Sequence, residues 1–404
     1  LSEITADRRT VQTATFAIIL ALSFSHMLND IMQSLLAAIY PMLKTDFRLD
    51  FWQIGLLTMA FQVTASLLQP AVGYYTDRRP LPYSLSFGMG STFVGLLVLA
   101  YAGQYWLLIV GACFIGFGSA VFHPEASRIA RLASGGRFGM AQSVFQIGGN
   151  AGTAIGPLLA AFIVVPFGQK SVAWFSVIAL IGMAVLWQVG GWYSRERKAA
   201  AKRPSTGPVF KLPRRTVVIA ILALVALTFS KNVYVVSLSS YYTFFVIEKF
   251  GVSVQASQLL LFLFLGASAV GLVLGGLLSD RVGARTVIWV SILGALPFTL
   301  ALPHVGLAAT AVLTVVIGIV MASAFPAIVV FAQELVPGRV GMVAGLFFGL
   351  AFGLAGLGAA VLGVVADFRG IEFVYSVCAF LPAIGLTAIF LPGRAAFRQA
   401  GEAA

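Results

Sequence analysis

Long apolar runs broken by short polar segments recur along the whole chain. Twelve of them approach or exceed the roughly 20 residues that a helix needs to cross a bilayer. They fall at residues 14–43, 51–75, 81–102, 104–131, 137–165, 171–193, 216–247, 254–279, 285–303, 307–333, 339–366 and 371–391. The longer runs have room to tilt or to emerge from the bilayer. Only residues 195–215 form an extended polar stretch, containing RERK, KRPSTGP and LPRR. Its proline, glycine and positive charge read as a solvated linker. The pattern predicts an all-α membrane protein: twelve transmembrane helices in two six-helix halves, 1–194 and 216–404, joined by the basic linker 195–215.

The halves repeat one another. Gly136-Arg137-Phe138-Gly139-Met140 returns half a chain later as Gly338-Arg339-Val340-Gly341-Met342. At the same offset Phe122-His123-Pro124 matches Ala324-Phe325-Pro326, and Gly156 matches Gly358. The turn Gly73 to Arg78 matches Gly276 to Arg281, shifted by one. Transporters are commonly built from such repeats, with the substrate site at the midplane between them. The second copy loses several polar residues: Glu125 becomes Ala327, Arg128 Val330, Gln146 Phe348 and Asn150 Phe352. Shared residues therefore read as fold, and residues confined to one copy read as function.

Composition agrees with the pattern. Of 404 residues, 59% are hydrophobic and 10% charged, against roughly 25% charged in soluble domains; the mean hydropathy is +0.96. The net charge of +12 changes meaning once its distribution is followed. With both termini in the cytoplasm, the linker and the other inner segments hold most of the basic residues. Lys44, Arg48, Lys170, Lys249 and Arg369 fall outside, and Lys231 lies within a span. That asymmetry sets the orientation. It also makes anionic membrane lipid, not nucleic acid, the partner of the basic residues. Cys113 and Cys378 sit alone in apolar runs and read as small buried hydrophobes.

These features resemble the major facilitator superfamily: two six-helix halves, a basic linker, and a G-x-x-x-D-R turn after the second helix of each half. Asp280 and Arg281 belong to the fuller copy of that turn. The copy holding Asp77 and Arg78 departs from it, with Arg79-Pro80-Leu81-Pro82 following. Within the superfamily the chain is similar to the bacterial fosmidomycin-resistance proteins, through LND-x-x-QSL, AIYP, SLLQP, VGY, FHPE-x-SR-x-AR-x-ASGGR, SSYYTF and PGR-x-GMV-x-GLFFG. The resemblance implies proton-driven export of a small phosphonate drug by a monomer. Gly152-x-x-x-Gly156-Pro157 in the fifth run further resembles a motif of the superfamily's drug–proton antiporters.

Ionisable groups inside a span cost roughly 2.5–3.5 kcal/mol each, so the few present need a reason. Ser23, His26, Asp30 and Gln33 draw one stripe along the first helix. Asp30 reads as a proton-binding carboxylate, or as a structural hydrogen-bonding group; His26 reads as its neighbour in coupling, or as a satisfied buried imidazole. Glu125 and Arg128 stand at i, i+3 and can pair. Protonation of Glu125 would break that pair, while Arg128 alternatively reaches lipid phosphate. His123 is set about 200° from Glu125, at 100° per residue, so the two do not face one cavity. Gln142, Gln146 and Asn150 form an amide stripe suited to a polar substrate or to helix–helix bonding. Lys231, beside Asn232, offers a point charge for a phosphonate, or an ion pair with Asp30. Tyr234, Tyr241 and Tyr242 follow it.

No phosphate-binding loop, zinc-protease motif or nucleophile elbow occurs, so an enzyme is not expected. The three histidines, His26, His123 and His304, fall on separate helices or loops without metal spacing, and no metal or cofactor is expected beyond protons as the coupling ion. The expected protein is a multi-pass bacterial inner-membrane antiporter. Its proton-coupling residues are Asp30, Glu125 and His26, and its substrate contacts are Arg128, Lys231, Gln142, Gln146, Asn150, Gln33, His123 and Tyr234. Two readings stand beside it: a transporter of a natural phosphorylated or carboxylated metabolite, and a non-transporting receptor or lipid-interacting protein.

Overall fold

A computed structural model describes residues 2–49, 51–200, 212–252, 254–393 and 396. Part of the predicted linker, 201–211, lies outside the described residues. The described chain is helical throughout, without strands. Its long helices are α1 (Ser2–Ala38), α2 (Phe51–Arg78), α3 (Ser84–Tyr101), α4 (Tyr105–Ala133), α5 (Phe138–Leu159) and α6 (Ser176–Ala200). The second half supplies α7 (Arg214–Phe250), α8 (Val254–Val282), α9 (Ala284–His304), α10 (Leu307–Leu335), α11 (Val340–Arg369) and α12 (Ile371–Phe390). Among the described residues, eleven helices are long and apolar enough to cross a membrane. The remaining segment, α5, continues through a π turn, Ala160–Val164, to Phe167.

The outward surfaces are apolar. Leu67, Phe87, Trp106, Phe162 and Phe368 are each largely exposed. A water-facing protein does not expose apolar side chains so widely, whereas lipid receives them without cost.

Chain breaks follow local chemistry. The first glycine of the repeated Gly-Arg-x-Gly-Met has a positive φ in both copies, Gly136 at 92° and Gly338 at 82°, a conformation that residues with a side chain rarely adopt. Each thereby turns the chain into the next helix. In α10 the α-helix breaks at Ser323, between Ala322 and Ala324. Pro326 accounts for this: it offers no N–H to the carbonyl of Ala322, and its ring crowds that carbonyl.

The chain forms two compact units. One comprises Leu1–Thr206 with Gly338–Gly349, and the other Gly207–Pro337 with Leu350–Ala404. In the first, α1 packs along α5, and glycines make the close approach possible. A methyl group on Gly152 would lie 3.0 Å from Asp30 Cβ and 3.0 Å from the Ile31 nitrogen; one on Gly156 would lie 2.8 Å from the Ile31 carbonyl oxygen. Thus the predicted Gly152-x-x-x-Gly156 spacing is a small-residue face laid on the α1 backbone. Pro157 follows in the same helix, and its side chain lies outside the described residues. Gly152→Val is expected to force α1 and α5 apart at a cost of about 1–3 kcal/mol. It should lower the melting midpoint of the purified protein in detergent; an unchanged midpoint would contradict this packing.

The second unit is built around Tyr234, Leu238, Tyr242, Phe245, Met321, Tyr375 and Cys378. Two of its buried hydroxyls are tied in: Tyr242 bonds Thr314 Oγ1 at 2.7 Å, and Tyr375 donates to the Ser237 carbonyl at 2.8 Å.

Candidate functional site

The predicted polar stripe of α1 is turned into the first unit. Ser23 Oγ donates to the Val144 carbonyl of α5 at 2.6 Å. His26 Nδ1 lies 2.8 Å from the Phe145 carbonyl oxygen, and its ring stacks on Phe145 with centroids 4.2 Å apart. One helical turn on, the Asp30 carboxylate lies 3.4 Å from His26 Nε2. Asn29 and Gln33 donate to Asp30 Oδ1 at 3.0 and 3.1 Å. His26, Asn29 and Asp30 are buried, and Gln33 is half-buried. Gly149 leaves room for the pair: a methyl group there would lie 2.5 Å from His26 Nε2.

From α4, His123 reaches the same place. Its Nδ1 lies 3.0 Å from the Ser119 carbonyl oxygen, and its Nε2 is 3.9 Å from Asp30 Oδ1. The rings of His26 and His123 meet edge to face, 5.1 Å between centroids. Donor atoms of His26, Asp30 and His123 all fall within 4.8 Å of one another. This corrects two sequence expectations. The histidines are not all separate, since folding joins two of them around one carboxylate. His123, fully buried, sits against Asp30 and His26 and not with the amides expected to meet a substrate. Phe122, Phe145 and Phe348 wall the cluster, with Phe348 5.2 Å from His123.

Glu125 and Arg128 form the pair that their spacing predicted, Arg128 Nη2 donating to Glu125 Oε2 at 2.6 Å. Ser84 also donates to that oxygen, at 3.1 Å. Arg128 Nη1 donates to the Thr76 carbonyl at 2.6 Å and lies 3.7 Å from Asp77 Oδ1. Its guanidinium is thus held by protein groups from three directions. Asp77 receives the amides of Gly341 and Met342 at 3.0 and 2.9 Å, capping the start of α11, where a negative charge meets the positive helix end. Among the repeated turns, the departing copy therefore supplies this cap. Arg78 lies over the Tyr74 ring, 4.1 Å from its centroid. Asp280 and Arg281 are exposed at the end of α8. Asp77→Ala is expected to cost about 0.5–2 kcal/mol. Faster hydrogen exchange at Gly341 and Met342 would register it, and unchanged exchange would contradict the cap.

The amide stripe divides. Gln142 is buried and accepts from Ser127 Oγ at 3.0 Å, so its amide oxygen bonds α5 to α4. Gln146 is buried, and Asn150 is exposed. In the second unit, Lys231 is half-buried, its ammonium 5.0 Å from the Phe325 ring centroid and 3.5 Å from Asn232 Oδ1. Tyr234 is 1% exposed within the core, which corrects its assignment to the substrate path.

This disposition of helices recurs in solved transporters. The fucose:proton symporter FucP of E. coli superposes with a TM-score of 0.72 at 16% identity, covering 95% of this chain and 99% of that one. The proton:xylose symporter XylE gives 0.68 at 15%, covering 94% and 96%. These show the fold. The sequence profile of the Major Facilitator Superfamily matches residues 22–356 and 233–403. The chain belongs to the Major Facilitator Superfamily. Among superfamily relatives, it is 54% identical to the fosmidomycin resistance protein of Escherichia coli (strain K12), over 96% of this chain and 95% of that one. It is 38% identical to the MFS-type transporter YfnC of Bacillus subtilis (strain 168), over 97% of each. As a superfamily member the chain is a multi-pass membrane transporter of a small molecule, not an enzyme, and its bacterial relatives place it in the inner membrane.

The aromatic wall and the meeting of α1 with α4 escaped the sequence reading. One signal for the wall was available: Phe348 stands where the repeat has Gln146.

Proposed function

We propose that the chain exports a small anionic drug of the fosmidomycin type in exchange for protons, by alternating access. The observation that carries this reading is the 54% identity to the E. coli fosmidomycin resistance protein along nearly the whole of both chains. The buried carboxylate and imidazole of Asp30 and His26 supply a proton-loading centre in one unit. Lys231 supplies a cationic contact for a phosphonate in the other, as a point charge on a flexible stem. With both termini cytoplasmic, as the basic residues indicate, outward movement of an anion is also favoured by the membrane potential, about 2.3 kcal/mol per charge per 100 mV.

Expression in a susceptible bacterium tests the substrate. The inhibitory concentration of fosmidomycin should rise several-fold, and Lys231→Gln should return it toward the vector level at equal protein abundance. No protection against any phosphonate, with the protein present in the membrane, would overturn the drug reading in favour of a natural phosphorylated or carboxylated metabolite.

A further inference from the structure

Three buried groups meet in the first unit, and their hydrogen-bond roles decide where a proton sits. The Phe145 and Ser119 carbonyl oxygens can only accept. His26 Nδ1, 2.8 Å from the first, therefore carries hydrogen; His123 Nδ1, 3.0 Å from the second, does so too, with the Ser119 hydroxyl at 3.2 Å sharing that hydrogen as a further acceptor. In the neutral rings this leaves both Nε2 atoms as lone-pair acceptors. Both are directed at Asp30, at 3.4 Å and 3.9 Å. Two lone pairs facing a carboxylate repel one another unless a positive charge enters. Asp30 Oδ1 already receives the amides of Asn29 and Gln33, and hydrogen bonds to the charged form favour it. Phe145 stacks under His26, and Phe122 and Phe348 stand beside the pair. Aromatic faces attract a cation and give nothing to a neutral acid.

We infer that the proton loaded by this cluster resides on imidazole, on Nε2 of His26 with His123 as second acceptor, while Asp30 stays ionised as a fixed counter-ion. Loading breaks an O–H bond of hydronium, forms an N–H bond at Nε2 and releases water. One carboxylate balances one imidazolium, and a second imidazolium 5.1 Å away by ring centroid would have no counter-charge. The cluster therefore holds a single proton. Charged groups on the packed helices are engaged or lie elsewhere. Glu125 and Arg128 of α4 bind each other, and Arg131 lies over Phe138. Arg197 of α6 donates to the Pro80 carbonyl, with Arg195 and Glu196 in the same end turns. Arg339, before α11, lies over Tyr74. Arg137 precedes α5, which brings Gln142, Gln146 and Gly149 to the α1 side.

The role of this proton in transport rests on the exchange reading above, but its position does not, so the test uses no substrate. The chain has three histidines, and His304 is exposed. Full-length protein labelled with 15N-histidine is reconstituted in lipid and followed by solid-state NMR between pH 5 and 8. One buried imidazole should change from a neutral ring, with one protonated and one bare nitrogen, to an imidazolium with both protonated. That signal should vanish in His26→Gln. In Asp30→Asn it should require more acid, by more than a hundredfold in proton concentration. In His123→Gln it should persist with an altered midpoint. Melting curves identify any variant that fails to fold, and the wild-type pH series stands without variants. The inference is overturned if both buried rings stay neutral across the range while the 13C carboxyl signal of Asp30 moves. It is also overturned if the purified protein retains one Zn2+ per chain that His123→Gln loses, which would make the cluster a metal site. A positive spectrum without drug–proton exchange would refute the transport reading alone.

Discussion

Asp30→Asn is expected to abolish gradient-driven efflux while leaving the protein folded. Asparagine preserves shape and keeps an acceptor for Asn29 and Gln33, which donate to Oδ1 at 3.0 and 3.1 Å. What it removes is the counter-charge beside His26 and His123. An uncompensated buried charge costs about 3–5 kcal/mol, and each 1.4 kcal/mol is tenfold. Proton occupancy at a given pH should therefore fall more than a hundredfold. Flux driven by an imposed pH gradient should drop to the background of empty vesicles, with the melting midpoint within a few degrees of wild type. Undiminished coupled flux would remove Asp30 from the coupling centre.

Arg128→Ala should have the largest effect on stability. Glu125 is 0% exposed, and the guanidinium 2.6 Å away is its charge partner. Removing it leaves a buried carboxylate with only the neutral hydroxyls of Ser84 and Thr76 beside it, at a cost of about 3–5 kcal/mol. The same guanidinium joins the Thr76 carbonyl and Asp77, so the end of α2 loosens as well. Removing both charges, Arg128→Ala with Glu125→Ala, should cost less than the two single losses combined, because the orphaned charge is gone. Additive losses in denaturation would show that the pair is not coupled. These residues were expected in proton coupling and substrate contact. Their engagement with Thr76, Asp77 and Ser84 favours a clasp joining α2, α3 and α4.

Much of this was legible in the sequence because a helix has a fixed period. Spans follow from apolar length, the α1 stripe from spacings of three and four, and the Glu125–Arg128 pair from i, i+3. Periodicity assigns residues to one face without saying what that face meets. Tyr234 shares the helix of Lys231 but turns into the core, and Gln142 turns to Ser127. The angle that separates His123 from Glu125 is real. It gave no hint that His123 would meet Asp30, because that depends on where α4 crosses α1. Gly152 and Gly156 were readable as a close-packing face, but their partner, the α1 backbone, was not. Likewise Asp77 finds its partners at Gly341 and Met342, far along the chain, through a loop that departs from the pattern of its repeat.

The central claim is exchange of protons for a small anion. Proteoliposomes containing the purified protein, loaded with labelled fosmidomycin and given an imposed pH gradient, test it directly. The account predicts drug movement against its own concentration gradient, with protons moving the other way, and its loss when the gradient is collapsed. Drug movement at the same rate with and without the gradient would contradict it.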